Sequence, residues 1–183
     1  MALLTPPRLR FLIAAVLCLQ ATTLPAQPAA PIEANVKAVF LFNFTKYVTW
    51  PASGIGERSP AELRICVTAD DGFFSQLKAA VEGEVIDGKP LVPVALEGLD
   101  DARTCQILYV GDSLTPDAKA WLSVVRSGQI LTVGDGALTD ETVITFVRDD
   151  NRIRFDINRA AAERRNLNVS AKLLRLARKV KDR

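Results

Sequence analysis

The stretch "CQILYVGDSLTPDAKAWLSVVRSGQILTVGD", Cys105 to Asp135, decides the class of fold. Its first part, "CQILYVGD", is a continuous apolar run closed by Gly and Asp. A strand open to water on one side alternates apolar and polar residues, so an unbroken run predicts a central strand covered on both faces. The middle part, "TPDAKAWLSVVRSG", reads as a helix. Thr115 suits the N-cap, Pro116 the first helical position where no amide donor is needed, and Gly128 the end. "QILTVGD" is then a second buried strand. Strand, helix, strand in this order points to a layered α/β domain.

The pattern extends in both directions. Upstream, "ELRICVT" alternates, with Leu63, Ile65 and Val67 on one side and Arg64, Cys66 and Thr68 on the other, which predicts a half-buried strand. "DDGFFSQLKAAVEG" predicts a short helix with Phe74, Leu77 and Val81 on one side, ended by Gly83. "PLVPVALEG" is a strand that Pro93 pushes toward a sheet edge, because proline cannot donate to a ladder. Downstream, "TVITFVRDDNRIRFDIN" predicts a hairpin turning at "RDDN", with Ile153, Phe155 and Ile157 inward and Arg152, Arg154 and Asp156 outward. Two helical segments follow. Ser170 is placed to cap the last, with Val169 and Leu174 positioned as a hydrophobic staple. That helix carries Leu173, Leu174, Leu176, Ala177 and Val180 opposite Lys172, Arg175, Arg178 and Lys179. The fold class is therefore α/β: a three-layer mixed β-sheet flanked by helices, with a late β-hairpin and C-terminal helices.

The N-terminus has a different character. "MALLTPPRLR" brings two Arg and no acid, "FLIAAVLCLQA" is a short apolar segment, and "TLPAQPAAP" supplies small residues for cleavage. Residues 1–26 read as a signal peptide and 27–183 as one mature domain. The competing reading, an uncleaved membrane anchor, needs a longer apolar run of about 20 residues. Residues 27–34 form a Pro/Ala linker.

Between linker and first strand lies "NVKAVFLFNFTKYVTWP", Asn35 to Pro51. It predicts a helix from about Ile32 to Thr49, stopped ahead of Pro51. Polar residues recur too often for a membrane span. On a helical wheel Val36, Val39, Phe40, Phe44, Tyr47, Val48 and Trp50 share one broad arc, and Phe42 lies behind it. The arc is wider than one sheet face needs. Two readings stand: a core helix with apolar spill, or a helix whose excess rings face a partner or a second copy. Phe40, Phe42, Phe44, Tyr47 and Trp50 are the candidate partner or dimer surface, with Phe42 expected to be the most exposed.

Composition excludes several kinds of chemistry. The 183 residues are 49% hydrophobic and 24% charged, as in an ordinary globular chain. A net charge of +2 and the lack of a basic cluster with interleaved aromatics argue against nucleic acid. There is no His, which removes His-based metal sites, Ser-His-Asp triads and Cys-His dyads. No nucleophile elbow or metal cluster remains, so no cofactor is expected and an enzyme is not. The doublets Asp70–Asp71, Asp100–Asp101 and Asp149–Asp150 read as solvated turns. Gly111 and Asp112, with Gly134 and Asp135, follow apolar strands where α/β sheets bind ligands; they are the candidate small-ligand residues, or simply turns. The mature chain keeps Cys66 and Cys105. An even count in an exported protein favours a disulfide over two buried thiols.

"KAVFLFNFTKYVTWP", "RICVTADD", "ILTVGDG" and "VITFVRDDNRIRFDINRAAAERRNLNVSAKLLRLARKV" together resemble the YfiR family of periplasmic proteins, in the family's order and over nearly the whole mature chain. The aromatic first helix ending in "WP" and the segment from "IRFDIN" to "LNVSAKLLRLA" carry the resemblance most specifically. It implies a periplasmic negative regulator, a homodimer, that binds the periplasmic part of an inner-membrane diguanylate cyclase and lowers cyclic-di-GMP and biofilm formation. An outer-membrane lipoprotein is the implied antagonist. A histidine kinase sensor is the alternative partner, and a small-ligand-binding accessory protein of such a sensor the alternative function. The resemblance also implies a redox-responsive disulfide, which carries over to Cys66 and Cys105. Some members have a further cysteine pair near the late hairpin; this chain has none there.

Overall fold

The structure, a computed structural model, describes residues 29–51, 61–68, 72–111, 115–138 and 141–182. The expected signal peptide, the loop after Pro51, Asp70–Asp71 and Asp112 lie outside the described residues. The chain begins with helix α1 (Ala29–Tyr47), followed by β1 (Val48–Thr49), β2 (Leu63–Val67), α2 (Phe73–Val81), β3 (Val85–Ile86) and β4 (Lys89–Ala95). A 3₁₀ segment, Leu99–Thr104, leads into β5 (Ile107–Val110), α3 (Thr115–Val124), β6 (Leu131–Asp135) and a second 3₁₀ turn, Gly136–Leu138. The hairpin β7 (Ile144–Asp149) and β8 (Arg152–Asn158) follows. The described chain closes with α4 (Arg159–Arg164), β9 (Asn168–Val169), α5 (Ala171–Leu176) and β10 (Lys179–Lys181).

Eight strands form one mixed sheet in the order β10-β8-β7-β6-β5-β2-β4-β3. The pairs β7–β8 and β3–β4 are antiparallel and the rest are parallel. The chain winds from β2 outward to β4 through α2, and from β5 the opposite way to β6 through α3. Right-handed crossovers in opposite directions place their helices on opposite faces. One face holds Ile65, Val67, Ile107, Tyr109, Leu131, Val133, Phe146, Phe155 and Ile157 against α1, α2 and α5. The other holds Cys66, Leu108 and Val110 against Ala118, Trp121 and Leu122 of α3. Every residue of β5 and β6 is buried, as their uninterrupted apolar runs require. Pro93 is tolerated because the short β3 pairs only with Lys89 and Pro90, so the outer side of β4 at Pro93 has no ladder partner to lose. The Cys66 and Cys105 sulfurs are bonded, with their Cα atoms 5.9 Å apart, in the apolar layer beneath α3.

The hairpin turns on Asp150 and Asn151, both in the left-handed region with φ of 43° and 62°. That is the two-residue turn whose twist matches a hairpin, and Asp and Asn are the non-glycine residues that accept it most readily. Asn158 ends β8 and caps α4 by accepting from the Ala161 amide at 2.9 Å. Ser170 caps α5 in the same way through the Leu173 amide, and Val169 and Leu174 pack against the core on either side of it.

Four expectations need correction. Helix α1 begins at Ala29, inside the expected linker, and ends at Tyr47, because Val48 and Thr49 pair with Val169 and Asn168 and the Ser170 amide takes the Tyr47 carbonyl at 2.9 Å. The last helix stops at Leu176. Arg178 closes on the Asp156 carboxylate through two hydrogen bonds, at 2.9 and 2.6 Å, and its amide bonds the Phe155 carbonyl, which turns the chain into β10. The amphipathic helix expected through Val180 is therefore a six-residue helix followed by an edge strand. Asp156, expected to face water, is buried as the partner of Arg178. On α2 the buried residues are Phe73, Leu77 and Val81, while Phe74 is only half-buried.

Candidate functional site

Helix α1 lies across the sheet above the hairpin. Its inward side is Ala38, Leu41, Phe44 and Thr45, all buried. Phe44 is 0% exposed and its ring centroid lies 5.3 Å from that of Phe155 and 5.9 Å from that of Phe146. Phe40 is half-buried on the same cluster, 5.4 Å from Phe155. Phe44 therefore belongs to the core and not to a partner surface. Phe42 is corrected as well: it is half-buried, packs against the core, and carries the Lys46 ammonium 3.8 Å above its ring. Tyr47 and Trp50 are half-buried, Tyr47 beneath Lys172 of α5. The exposed apolar residues of α1 are Ile32, Val36 and Val39, at 61%, 37% and 49%. Spaced by four and three residues, they share one side of the helix, and Ile32 and Val36 line the space beside the hairpin.

Beside that stripe runs a groove of about 390 Å³ between α1 and the hairpin, lined by Ile32, Glu33, Val36, Phe40, Arg148 and Ile153 among others. Its lining is half aliphatic and aromatic and half polar, the polar part being Glu33, Arg148, Asn151 and Arg152. The aliphatic residues come from the first turns of α1, while Ile153 points inward from β8, opposite Arg148 of β7. Strand β9 and α5 meet the C-terminal end of α1, where the Ser170 amide takes the Tyr47 carbonyl and Lys172 lies over the Tyr47 ring.

A chain of charges fixes α1 at this edge. The Lys37 ammonium lies 2.7 Å from both a Glu33 and an Asp135 carboxylate oxygen. The Tyr109 hydroxyl donates to Asp135 at 2.6 Å, and Arg148 reaches over from β7 to Glu33. Burial pushes the Lys37 ammonium toward losing its proton, but the hydrogen bonds and charges of Asp135 and Glu33 outweigh it and hold its pKa above the ordinary value of 10.5. The spacing of Glu33 and Lys37 is the i, i+4 pair readable from sequence. The reach to Asp135 and Arg148 is long-range and was not readable.

This changes the reading of the strand ends. Asp135 is buried and held by Lys37 and Tyr109. A Cβ on Gly134 would meet Leu138 at 2.9 Å and Thr142 at 3.0 Å, so the glycine is there to let the following 3₁₀ turn pack. Gly111 is buried at the end of β5, and Asp112 lies outside the described residues. Among the described residues no group of three His, Cys, Asp or Glu side chains could hold a metal ion. No helix among them is long and apolar enough to cross a membrane.

A family model described as YfiR/HmsC-like matches residues 34–178, from the first turns of α1 to the Arg178 that ties β10 to Asp156. The chain belongs to the YfiR/HmsC-like family. At the level of the family this means a periplasmic regulator of cyclic-di-GMP signalling and a regulator rather than an enzyme. No curated protein matches the chain. Two solved structures share the fold. One is a conserved domain protein from Vibrio cholerae, 11% identical with a TM-score of 0.55 over 81% of this chain. The other is the ABC domain in complex with L-Trp from Streptococcus pneumoniae, 10% identical with a TM-score of 0.54 over 81% of this chain. The match spans 60% of the length of each. At these identities the likeness is one of fold alone.

Proposed function

We propose that this YfiR/HmsC-like chain is a periplasmic protein that binds the periplasmic part of an inner-membrane diguanylate cyclase and restrains it. The observation that carries the reading is the stripe Ile32, Val36 and Val39, continuous with the groove lined by Phe40 and Ile153. An apolar flank of this kind, with Glu33 and Arg148 beside it, suits a protein partner. A homodimer and an antagonist lipoprotein of the outer membrane belong to the same proposal, the latter competing for the regulator. The small-ligand reading is weaker, because Asp135 is engaged by Lys37 and Tyr109 and the space at Gly134 is filled by Leu138 and Thr142. Deleting the gene in its own host is expected to raise cyclic-di-GMP and restoring it to lower the level. An unchanged level would refute the cyclase and turn attention to a sensor kinase.

A further inference from the structure

The groove has a backbone wall as well as its side-chain lining. The Asn158 amide donates to the Val143 carbonyl at 2.8 Å, which makes these two a hydrogen-bonded pair of the β7–β8 ladder. Such pairs alternate along an antiparallel ladder. The backbone groups of Arg152, Arg154 and Asp156 therefore face β7, and those of Ile153, Phe155 and Ile157 face outward. Strand β10 covers the outer edge only from the Phe155 carbonyl onward, beginning with the Arg178 amide at 2.9 Å. The Ile153 N–H and C=O and the Phe155 N–H have no backbone partner among the described residues. This short open edge borders the groove at Ile153.

We infer that the site takes an extended segment of the partner protein, added as a strand beside Ile153, in which apolar and acidic side chains alternate. The inference rests on the reading of the groove as a partner surface and specifies what enters it. Side chains of an added strand alternate between the two faces of the sheet. On one face they would meet Ile153, Phe40 and Val36 and must be apolar. On the other they would lie beside Arg152 and Arg154, both exposed and without an ion-pair partner among the described residues, where carboxylates are complementary. The same charges argue against a second copy. Antiparallel self-pairing about Ile153 would set Arg152 of each copy against Arg154 of the other, and like charges directly opposite are destabilising. Strand β10 is less open to addition, because Lys179 and Lys181 flank its single apolar residue.

The test is a selection of random peptides of about 12 residues on the purified chain, followed by binding measurements with the enriched peptides. The expected sequences alternate apolar and acidic residues. Their binding is expected to slow amide exchange at Ile153 and Phe155 by at least about tenfold, because both amides gain acceptors. Ile153→Pro removes the outward N–H and trims a side chain packed on the core, so it is expected to lower the melting temperature and to weaken binding of the folded protein about tenfold or more, with Ile153→Val close to wild type. Arg152→Glu/Arg154→Glu is expected to release the acidic peptides and to bind versions in which Lys replaces the acids. Enriched peptides with helical spacing, amides at Ile153 and Phe155 that do not respond, no binder that the charge reversal releases, or self-association through this edge would overturn the inference. A chain that binds these peptides yet leaves cyclic-di-GMP unchanged would overturn the cyclase reading alone.

Discussion

Replacing Phe44 by Ala tests the division of α1 into an inward and an outward side. Phe44 is fully buried, and its ring packs against Phe40, Phe146 and Phe155 at centroid distances of 6.1, 5.9 and 5.3 Å. Truncating a buried Phe costs about 3–5 kcal/mol, and the loss of three ring contacts places this site at the middle of that range or above, about 4 kcal/mol. In a domain of this size each kcal/mol moves the melting temperature by about 2–4 °C, so a fall of roughly 8–16 °C is expected. Val39→Ser is the control. Val39 is 49% exposed, and a substitution on an open surface away from special features stays within about 0.5 kcal/mol. Urea unfolding followed by the fluorescence of Trp50 and Trp121, with the disulfide intact, gives both values. A shift in midpoint at constant slope reads as a change in stability. A cost below about 1 kcal/mol for Phe44→Ala, or one of similar size for Val39→Ser, would refute the assignment of the two sides.

Other consequences follow from single contacts. Cys66→Ser opens a loop with a sequence separation of 39 and is expected to lower stability by about 4 kcal/mol on the chain-entropy model; two free thiols in the denatured, unreduced protein would contradict the bridge. Gly134→Ala is expected to cost about 1–3 kcal/mol by overpacking against Leu138 and Thr142, and a neutral melt would show that the 3₁₀ turn yields. Lys37→Met leaves Asp135 with Tyr109 but without its buried cation, for an expected loss of about 3 kcal/mol near neutral pH. Because the folded state raises the Lys37 pKa above 10.5, this contribution is fully present below about that pH and is lost as pH rises through the folded value. The difference between wild type and Lys37→Met should therefore narrow only in strong alkali, and a gap that closes below pH 9 would contradict the pairing.

The parts of the fold that were legible in the sequence are those set by local pattern. The buried runs of β5 and β6 and the inward set Ile153, Phe155 and Ile157 of β8 carried the three-layer sheet, and Ser170 marked a real cap. Strand β2, read as half-buried from its alternation, is covered on both faces, with Cys66 and Val67 both buried. What was not legible depends on partners far away in the chain. Strand β10 exists because Asp156 captures Arg178, a contact that makes Asp156 buried and ends α5 early. Helix α1 has its polar residues, among them Glu33, Lys37, Asn43 and Lys46, scattered around its circumference, so a helical wheel has no single polar side to fix its rotation. The smaller Ala38, Leu41 and Thr45 mark the inward face together with Phe44, while Val36 and Val39, read as part of the aromatic arc, turn outward. Phe42 looked exposed from its place on the wheel, but its ring is long enough to fold back onto the core beneath Lys46.

The most direct test of the proposed function is cyclic-di-GMP in a host deleted for this chain and complemented with the Val36→Asp/Val39→Asp variant. Both side chains are exposed and neither belongs to the core, so the variant is expected to melt and accumulate as the wild type does. Cyclic-di-GMP is expected to stay at the level of the deletion. Restoration to the wild-type level by a folded variant would contradict the proposed function.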